Sequence, residues 1–199
     1  MSKVVTEFTT EVPFWSPYVT PVELDKATPE QLDALKITPS NTKVSEYVLV
    51  LAHDPQSLLH RSPLFNAVMF GRDGLSRAER ELGATGASIV NHCIYCTAVH
   101  ASRYNQLTKT TEVIDAIFRD GVNAKLDERS QAMFDFSVAL SQCPPQTNET
   151  HIAALKATGL SELEIFDLAL SAAMFGWANR LMHTLGEPLE KSSLSATSV

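Results

Sequence analysis

Apolar residues recur along most of this chain at helical spacing. Ala132, Met133, Phe136, Val138, Ala139 and Leu140 trace one such face, and no stretch alternates cleanly as a half-buried strand would. Helix starts are marked by their own chemistry. Thr28 before Pro29 with Gln31, Ser76 with Glu79, and Ser161 with Glu164 each place a hydroxyl three positions ahead of a Gln or Glu, the arrangement of a capping box. Asp127 and Thr147 read as simpler N-caps. The pattern predicts helices over 28–37, 44–52, 55–70, 76–90, 92–107, 110–119, 127–142, 147–158 and 161–184, with ends loose by a few residues. The last is apolar nearly all round, through Leu163, Ile165, Phe166, Leu168, Leu170, Met174, Phe175 and Trp177, which predicts a central or interface helix. The fold class is therefore all-α.

Residues 1–27 break the pattern. Pro13, Pro17 and Pro21 stand among Phe8, Phe14, Trp15 and Tyr18, so the segment is too proline-rich for regular structure and too aromatic to float free. It is expected to lie as an extended arm over a neighbouring surface, ahead of one helical domain spanning 28–199. Leu75-Ser76-x-x-Glu79 and Leu160-Ser161-x-x-Glu164 echo each other, but the match is too short to establish a duplication.

Composition narrows the function classes. The chain of 199 residues is 44% hydrophobic and 20% charged, enough to bury one core without staples. Sixteen Lys and Arg against 23 Asp and Glu give a net charge of −7, which argues against a nucleic-acid partner or an anionic membrane surface. The N-terminal residues lack a basic stretch leading into an apolar one, and no apolar run is long enough to span a bilayer. Three cysteines, two within one short motif, do not make a secreted disulfide framework. A reducing cytoplasm is the expected location.

The chemistry concentrates in the octet Cys93-Ile-Tyr95-Cys96-Thr-Ala-Val-His100, which sets two thiols and an imidazole at i, i+3 and i+7 of a helix. If Asn91 caps that helix, Cys93 falls in its first turn, where free N–H groups favour an anion. A Cys-x-x-C pair can also share a proton and close a disulfide. His100 lies one turn beyond Cys96, which favours Cys96 as the attacking thiolate and Cys93 as the resolving thiol. Two other readings of the thiols stand beside this one. Zinc would need a fourth ligand, and His92 projects about 100° away from Cys93 on a helix; the thiols could equally be inert and buried. Cys143, before Pro144 and Pro145, reads as a small buried hydrophobe at a helix end. His92 and His183 have no evident partner, and Trp177, in a patch with Asn179 and Arg180, reads as core.

Adding Glu81, twelve positions before Cys93, gives Arg80-Glu81-(x11)-Cys93-Ile94-Tyr95-Cys96-x-x-x-His100. This string resembles the alkylhydroperoxidase D core of the carboxymuconolactone decarboxylase-like family. Phe175-Gly-Trp177-Ala-Asn179-Arg180-Leu-Met-His-Thr-Leu185-Gly186 is similar to the C-terminal ending of its peroxidase-related branch. The resemblance covers about 60–125 as the core and extends through C-terminal helices at about 127–185. It implies a helical bundle of the alkylhydroperoxidase D-like type and a cofactor-free peroxidase. Cys96 would be the peroxidatic thiol, Cys93 the resolving thiol, His100 the relay to Cys96, and Glu81 the buried carboxylate that orients the histidine. The substrate would be hydrogen peroxide or an alkyl hydroperoxide, and a dithiol or protein reductant would reopen the disulfide. Tyr95 stands where the best-known members carry a relay histidine. Family decarboxylases lack the thiol pair, so its presence argues against lactone decarboxylation. A dithiol sensor without turnover and a carboxymuconolactone decarboxylase-like enzyme using Glu81 and His100 for acid–base work remain alternatives. The apolar last helix and the aromatic arm, like the resemblance, lead us to expect a homo-oligomer.

Overall fold

The computed structural model describes residues 3–37 and 44–191. The first two residues of the arm, and residues 38–43 and 192–199 of the expected domain, lie outside the described residues. The order is β1 (Phe14–Pro17), α1 (Pro29–Ala34), α2 (Glu46–Leu51), α3 (Pro55–Phe70), α4 (Arg77–Val90), α5 (Ile94–Thr108), α6 (Glu112–Asp120), a 3₁₀ turn (Gly121–Asn123), α7 (Glu128–Ser141), α8 (Glu149–Ala157), α9 (Glu162–Leu185) and β2 (Gly186–Leu189). The fold is all-α, with one small two-stranded sheet.

Local chemistry sets the helix starts. The Thr28, Ser76 and Ser161 side chains each accept from the backbone N–H three residues on, and Gln31, Glu79 and Glu164 reach back to complete the boxes. Asp127 caps α7 as expected. The cap of α8 is Asn148 rather than Thr147: its Oδ1 accepts from the Thr150 N–H at 3.0 Å, a bond for which asparagine is better suited than threonine.

Helix α4 is the hub, packed against α5, α7 and α9. Every residue from Arg80 to Ile89 is buried. Such burial requires small side chains where helices cross closely. A Cβ on Gly83 would lie 2.9 Å from Leu168 Cδ1 of α9, and one on Gly86 would lie 2.9 Å from Ser137 Cβ of α7. One core cluster joins α4 to α6, α7, α8 and α9 around Leu82, Ile114, Phe134, Leu155 and Leu168; another joins α3, α4 and α9 around Phe65, Ala84 and Phe175.

The joint between α4 and α5 differs from expectation. Asn91 closes α4 instead of capping α5, because its backbone N–H and its Nδ2 both bond the Ala87 carbonyl. His92 turns the chain at φ 54°, in the left-handed region that histidine enters more readily than most residues, and Cys93 becomes the N-cap of α5.

The N-terminal arm is extended and covers a neighbouring surface, but part of it is regular. Residues 14–17 pair antiparallel with 186–189, from Phe14 opposite Leu189 to Pro17 opposite Gly186. Proline is tolerated because each strand is an edge. Trp15 is buried, and its Nε1–H donates to the Met182 carbonyl at 3.2 Å. Two apolar assignments are corrected. Cys143 is exposed, since α7 ends at Ser141 and the chain leaves the core through the cis Cys143–Pro144 bond. Trp177 is 46% exposed, and Leu163 and Phe166 are also exposed: α9 turns one side inward and leaves an apolar stripe outside. No helix among the described residues is long and apolar enough to cross a membrane.

Two glycines of similar helical setting should respond differently to alanine. Gly86→Ala gains about 1 kcal/mol of helix propensity, but its Cβ must displace Ser137 against overpacking costs of about 1–3 kcal/mol. A net loss of about 1 kcal/mol is expected in urea unfolding. At Gly176 the nearest atom to a new Cβ is Arg180 Nη1 at 3.5 Å. Gly176→Ala should be neutral or stabilising by up to about 1 kcal/mol, and a loss there would contradict the packing described.

Candidate functional site

Glu81 and His100 approach each other where α4 packs on α5. Glu81 is 1% exposed, so both carboxylate oxygens need partners. Oε2 accepts from His100 Nδ1 at 2.5 Å, and Oε1 accepts from Arg77 Nε at 2.8 Å and from Arg77 Nη2. Burial alone would push the Glu81 carboxyl up; the His100 and Arg77 charges outweigh it and hold it below the ordinary value of 4.5. An ionised carboxylate only accepts, so His100 carries its proton on Nδ1 and offers Nε2 for chemistry. The edge of the imidazole packs on Phe175, with ring centroids 3.9 Å apart. Arg77 itself is fixed by the Met69 carbonyl at 3.0 Å and by the Phe70 ring.

Cys93 and Cys96 are both free, at 2% and 6% exposure. They belong to a cluster with Trp15, Tyr47, Val50 and Met182, so the arm and α2 cover them. Their electrostatics differ. The Cys96 thiol donates toward Cys93 and lowers the Cys93 pKa; burial opposes this, while the Cys96 amide and the Asn179 side chain add to the lowering. Cys93 makes no strict capping bond, so the amide acts as a nearby dipole. Cys96 moves the other way, its thiol pushed well up by its bond to Cys93 and by burial. The resting negative charge is therefore favoured on Cys93 and the shared proton on Cys96, the reverse of the order that His100 spacing suggests. His100 still follows Cys96 by one turn on α5, but none of its hydrogen bonds reaches either sulfur.

Asn179 of α9 is a member of the site that spacing did not single out. It is fully buried, accepts from Asn91 Nδ2 at 3.3 Å and donates to Ser88 Oγ at 3.2 Å. Its amide thus joins the ends of α4 and α9 beside the sulfurs. Arg77, placed four residues before Glu81 on the same helix, was legible as an i,i+4 pair and was not singled out. Tyr95 is half-buried at the margin of the cysteine cluster, and burial pushes its phenol up. His92 and His183 do have partners. The His92 ring meets Phe8 edge-on at 4.9 Å, and His183 Nε2 bonds the Asn91 carbonyl at 3.0 Å. Among the described residues no group of three or more His, Cys, Asp or Glu side chains is arranged to hold a metal ion.

Comparison with known proteins agrees with this fold. The Carboxymuconolactone decarboxylase family matches residues 55–136, a stretch that contains Glu81, both cysteines and His100. Among solved structures, the alkylhydroperoxidase AhpD core of an uncharacterized peroxidase-related protein from Ralstonia eutropha JMP134 superimposes with TM-score 0.73 and 26% identity, covering 90% of this chain and 94% of that one. The debrominase Bmp8 superimposes with TM-score 0.72 and 19% identity over 90% of this chain and 96% of its own. An uncharacterized peroxidase-related protein from Silicibacter sp. TM1040 gives TM-score 0.62 and 21% identity over 85% and 97%. The last two identities are low enough that the likeness is one of fold. No curated protein matches the chain.

The thiol electrostatics predict that iodoacetamide alkylates Cys93 with an inflection below the ordinary thiol value of 9.0. Asn179→Ala removes a hydrogen bond to the charged sulfur, a loss of about 1.4 kcal/mol. Alkylation of Cys93 at neutral pH should slow about tenfold and its inflection should rise; an unchanged profile would remove Asn179 from the site. Because the Glu81 pKa is depressed, the stability its ionised form contributes is present above pH 4.5 and lost as pH falls through the depressed value. Glu81→Gln should therefore flatten the acid limb of the stability curve.

Proposed function

We propose that this chain, whose residues 55–136 match the carboxymuconolactone decarboxylase family, is a thiol-dependent peroxidase of the alkylhydroperoxidase D-like type, cycling Cys93 and Cys96 between dithiol and disulfide. The observation that carries this reading is the pair of free, buried sulfurs at the start of α5 with a Glu81–His100 hydrogen bond of 2.5 Å one turn away. No group beyond the chain's own side chains is needed for the chemistry.

In the proposed cycle the Cys93 thiolate attacks one peroxide oxygen. The S–O bond forms and the O–O bond breaks, and the leaving alkoxide takes a proton that His100 has first drawn from solvent onto Nε2. Glu81 stabilises that imidazolium and holds the ring in place. The Cys96 thiol then passes its proton to His100, and its sulfur attacks the Cys93 sulfenic acid. An S–S bond forms and hydroxide leaves as water with the His100 proton. Peroxide is thereby reduced by two electrons to alcohol and water, and the dithiol is oxidised. A dithiol or protein reductant reopens the disulfide by exchange. This cycle exchanges the roles expected from spacing alone: His100, one turn from Cys96, serves the thiol that must lose a proton during resolution.

The partners proposed with this function are a small peroxide, a dithiol reductant and further copies of the same chain. The exposed stripe of Leu163, Phe166 and Trp177 on α9, with Leu64 and Phe70 on α3, supports the last. Light scattering should find an oligomer that Phe166→Glu weakens.

Reduced protein supplied with a dithiol should consume cumene hydroperoxide catalytically. Cys96→Ser should stop turnover yet consume one equivalent and leave a dimedone-trappable sulfenic acid on Cys93. Cys93→Ser should do neither. Glu81→Gln should lower kcat/KM by about 10²-fold, the scale of a lost acid–base contribution. Peroxide consumption that survives removal of both thiols would sink the mechanism, and a stop after one equivalent in the unaltered protein would favour a sensor.

A further inference from the structure

Arg61 of α3 is a half-buried cation with no counter-ion among the described residues. Its Nε and Nη1 are inaccessible to solvent and have no hydrogen-bond partner. No carboxylate among the described residues lies within ion-pair distance of it, whereas the other buried or half-buried arginines are paired: Arg77 with Glu81, Arg80 with Asp167, and Arg129 with Glu79. The guanidinium is held instead between aromatic rings, its central carbon 3.8 Å from the Phe65 ring centroid and 5.8 Å from that of Tyr47. Tyr47 packs in the same cluster as Cys93 and Cys96, edge-on to Trp15 at 5.4 Å, and its buried hydroxyl is turned toward the Arg61 guanidinium without making a bond of ordinary geometry. Three orphaned polar atoms, all capable of donating, thus collect beside the dithiol.

Such a group is costly to keep. Each buried donor left unsatisfied forfeits its hydration without recovering a bond inside the protein. The guanidinium cannot relieve the cost by losing its proton, because arginine stays charged in proteins. The thiols do not supply a counter-ion: Arg61 acts electrostatically on Cys96, whose thiol is pushed up, whereas Cys93 is lowered by Cys96 and Asn179 and not by Arg61. What is missing is an acceptor that is negative, small and able to lie against aromatic rings.

We propose that Arg61 and Tyr47 form an anion-binding subsite against the dithiol that takes the carboxylate of a small aromatic or otherwise apolar organic acid. The carboxylate would accept from the guanidinium and from the Tyr47 hydroxyl, and its apolar body would lie against Phe65 and Tyr47. The substrate presented to the sulfurs is then acid-bearing. Binding of the acid stands by itself; its role as substrate rests on the dithiol cycle above.

The test is isothermal titration of the reduced full-length protein with benzoate and with benzamide, which has the same shape but no charge. The unaltered protein should bind benzoate at least tenfold more tightly than benzamide. Arg61→Met should abolish that preference, Arg61→Lys should keep part of it, and Tyr47→Phe should weaken benzoate three- to tenfold while leaving benzamide unchanged. Equal affinity for the two probes in the unaltered protein, binding of neither, or a preference that persists in Arg61→Met would overturn the subsite. Tyr47→Phe deletes a single oxygen and so keeps the test open if Arg61→Met fails to fold. A second arm compares a hydroperoxide of linoleic acid with its methyl ester. Benzoate preference without consumption of either peroxide supports the subsite and defeats the dithiol peroxidase; consumption of both peroxides alike without benzoate preference does the reverse.

Discussion

Two adjacent side chains of opposite charge, Arg80 and Glu81, lie 1% exposed in the middle of the most deeply packed helix, and the rest of the architecture satisfies them. Arg80 donates to the Leu75, Val68 and Asp73 carbonyls and to Asp167 of α9, which ties the end of α3, the loop before α4 and the long helix to one guanidinium. Glu81, one residue on and therefore about 100° around the helix, faces α5 instead and fixes His100. Removing one member of such a pair leaves a buried charge behind, at about 3–5 kcal/mol. The fold and the site are consequently not separable at α4. The residue that orients the relay and the residue that docks α9 are neighbours in the chain.

That arrangement explains why the sulfurs meet their surroundings with such precision. Helix α9, docked through Asp167 and through the Gly83 crossing with Leu168, brings Asn179 to Ser88 and Asn91 at the other end of α4. Asn91 stops α4, His92 turns the chain, and Cys93 starts α5 with its sulfur facing Asn179 and the Cys96 thiol. The charge on Cys93 is thus favoured by donors supplied from two helices, α5 and α9, while burial and the bond to Cys93 raise its partner thiol. Such a division of one proton between two sulfurs gives a nucleophile and a resolving group of different character from chemically identical residues.

How much of this was legible in the sequence depended on how local the chemistry was. The three capping boxes, the Asp127 cap and all nine expected helices among the described residues follow from side chains reading their own backbone within three or four positions. The Cys93, Cys96 and His100 face was legible for the same reason, since one helix carries all three. What failed was long-range or depended on competition. The pairing of Phe14–Pro17 with Gly186–Leu189 joins opposite ends of the chain and leaves no periodic mark on four residues. Asn91 was equally fit to end α4 or to begin α5, and the close of α4 won because its side chain also reaches Ala87 and Asn179. Trp177 and Cys143 were judged by hydrophobicity, which says that a side chain prefers burial and not whether a neighbour is there to cover it.

Apart from Arg77, the members of the site missed from the sequence share a physical feature: they act across helices. Asn179, Arg61 and Tyr47 are unremarkable within their own segments, and nothing at their spacing points to the sulfurs. Their significance comes from polar accounting inside the folded molecule. Asn179 matters because each of its bonds is made, and Arg61 and Tyr47 because theirs are not. The dithiol motif identifies where electrons can move. The unpaired donors beside it, which no motif encodes, bear on what is brought there to receive them.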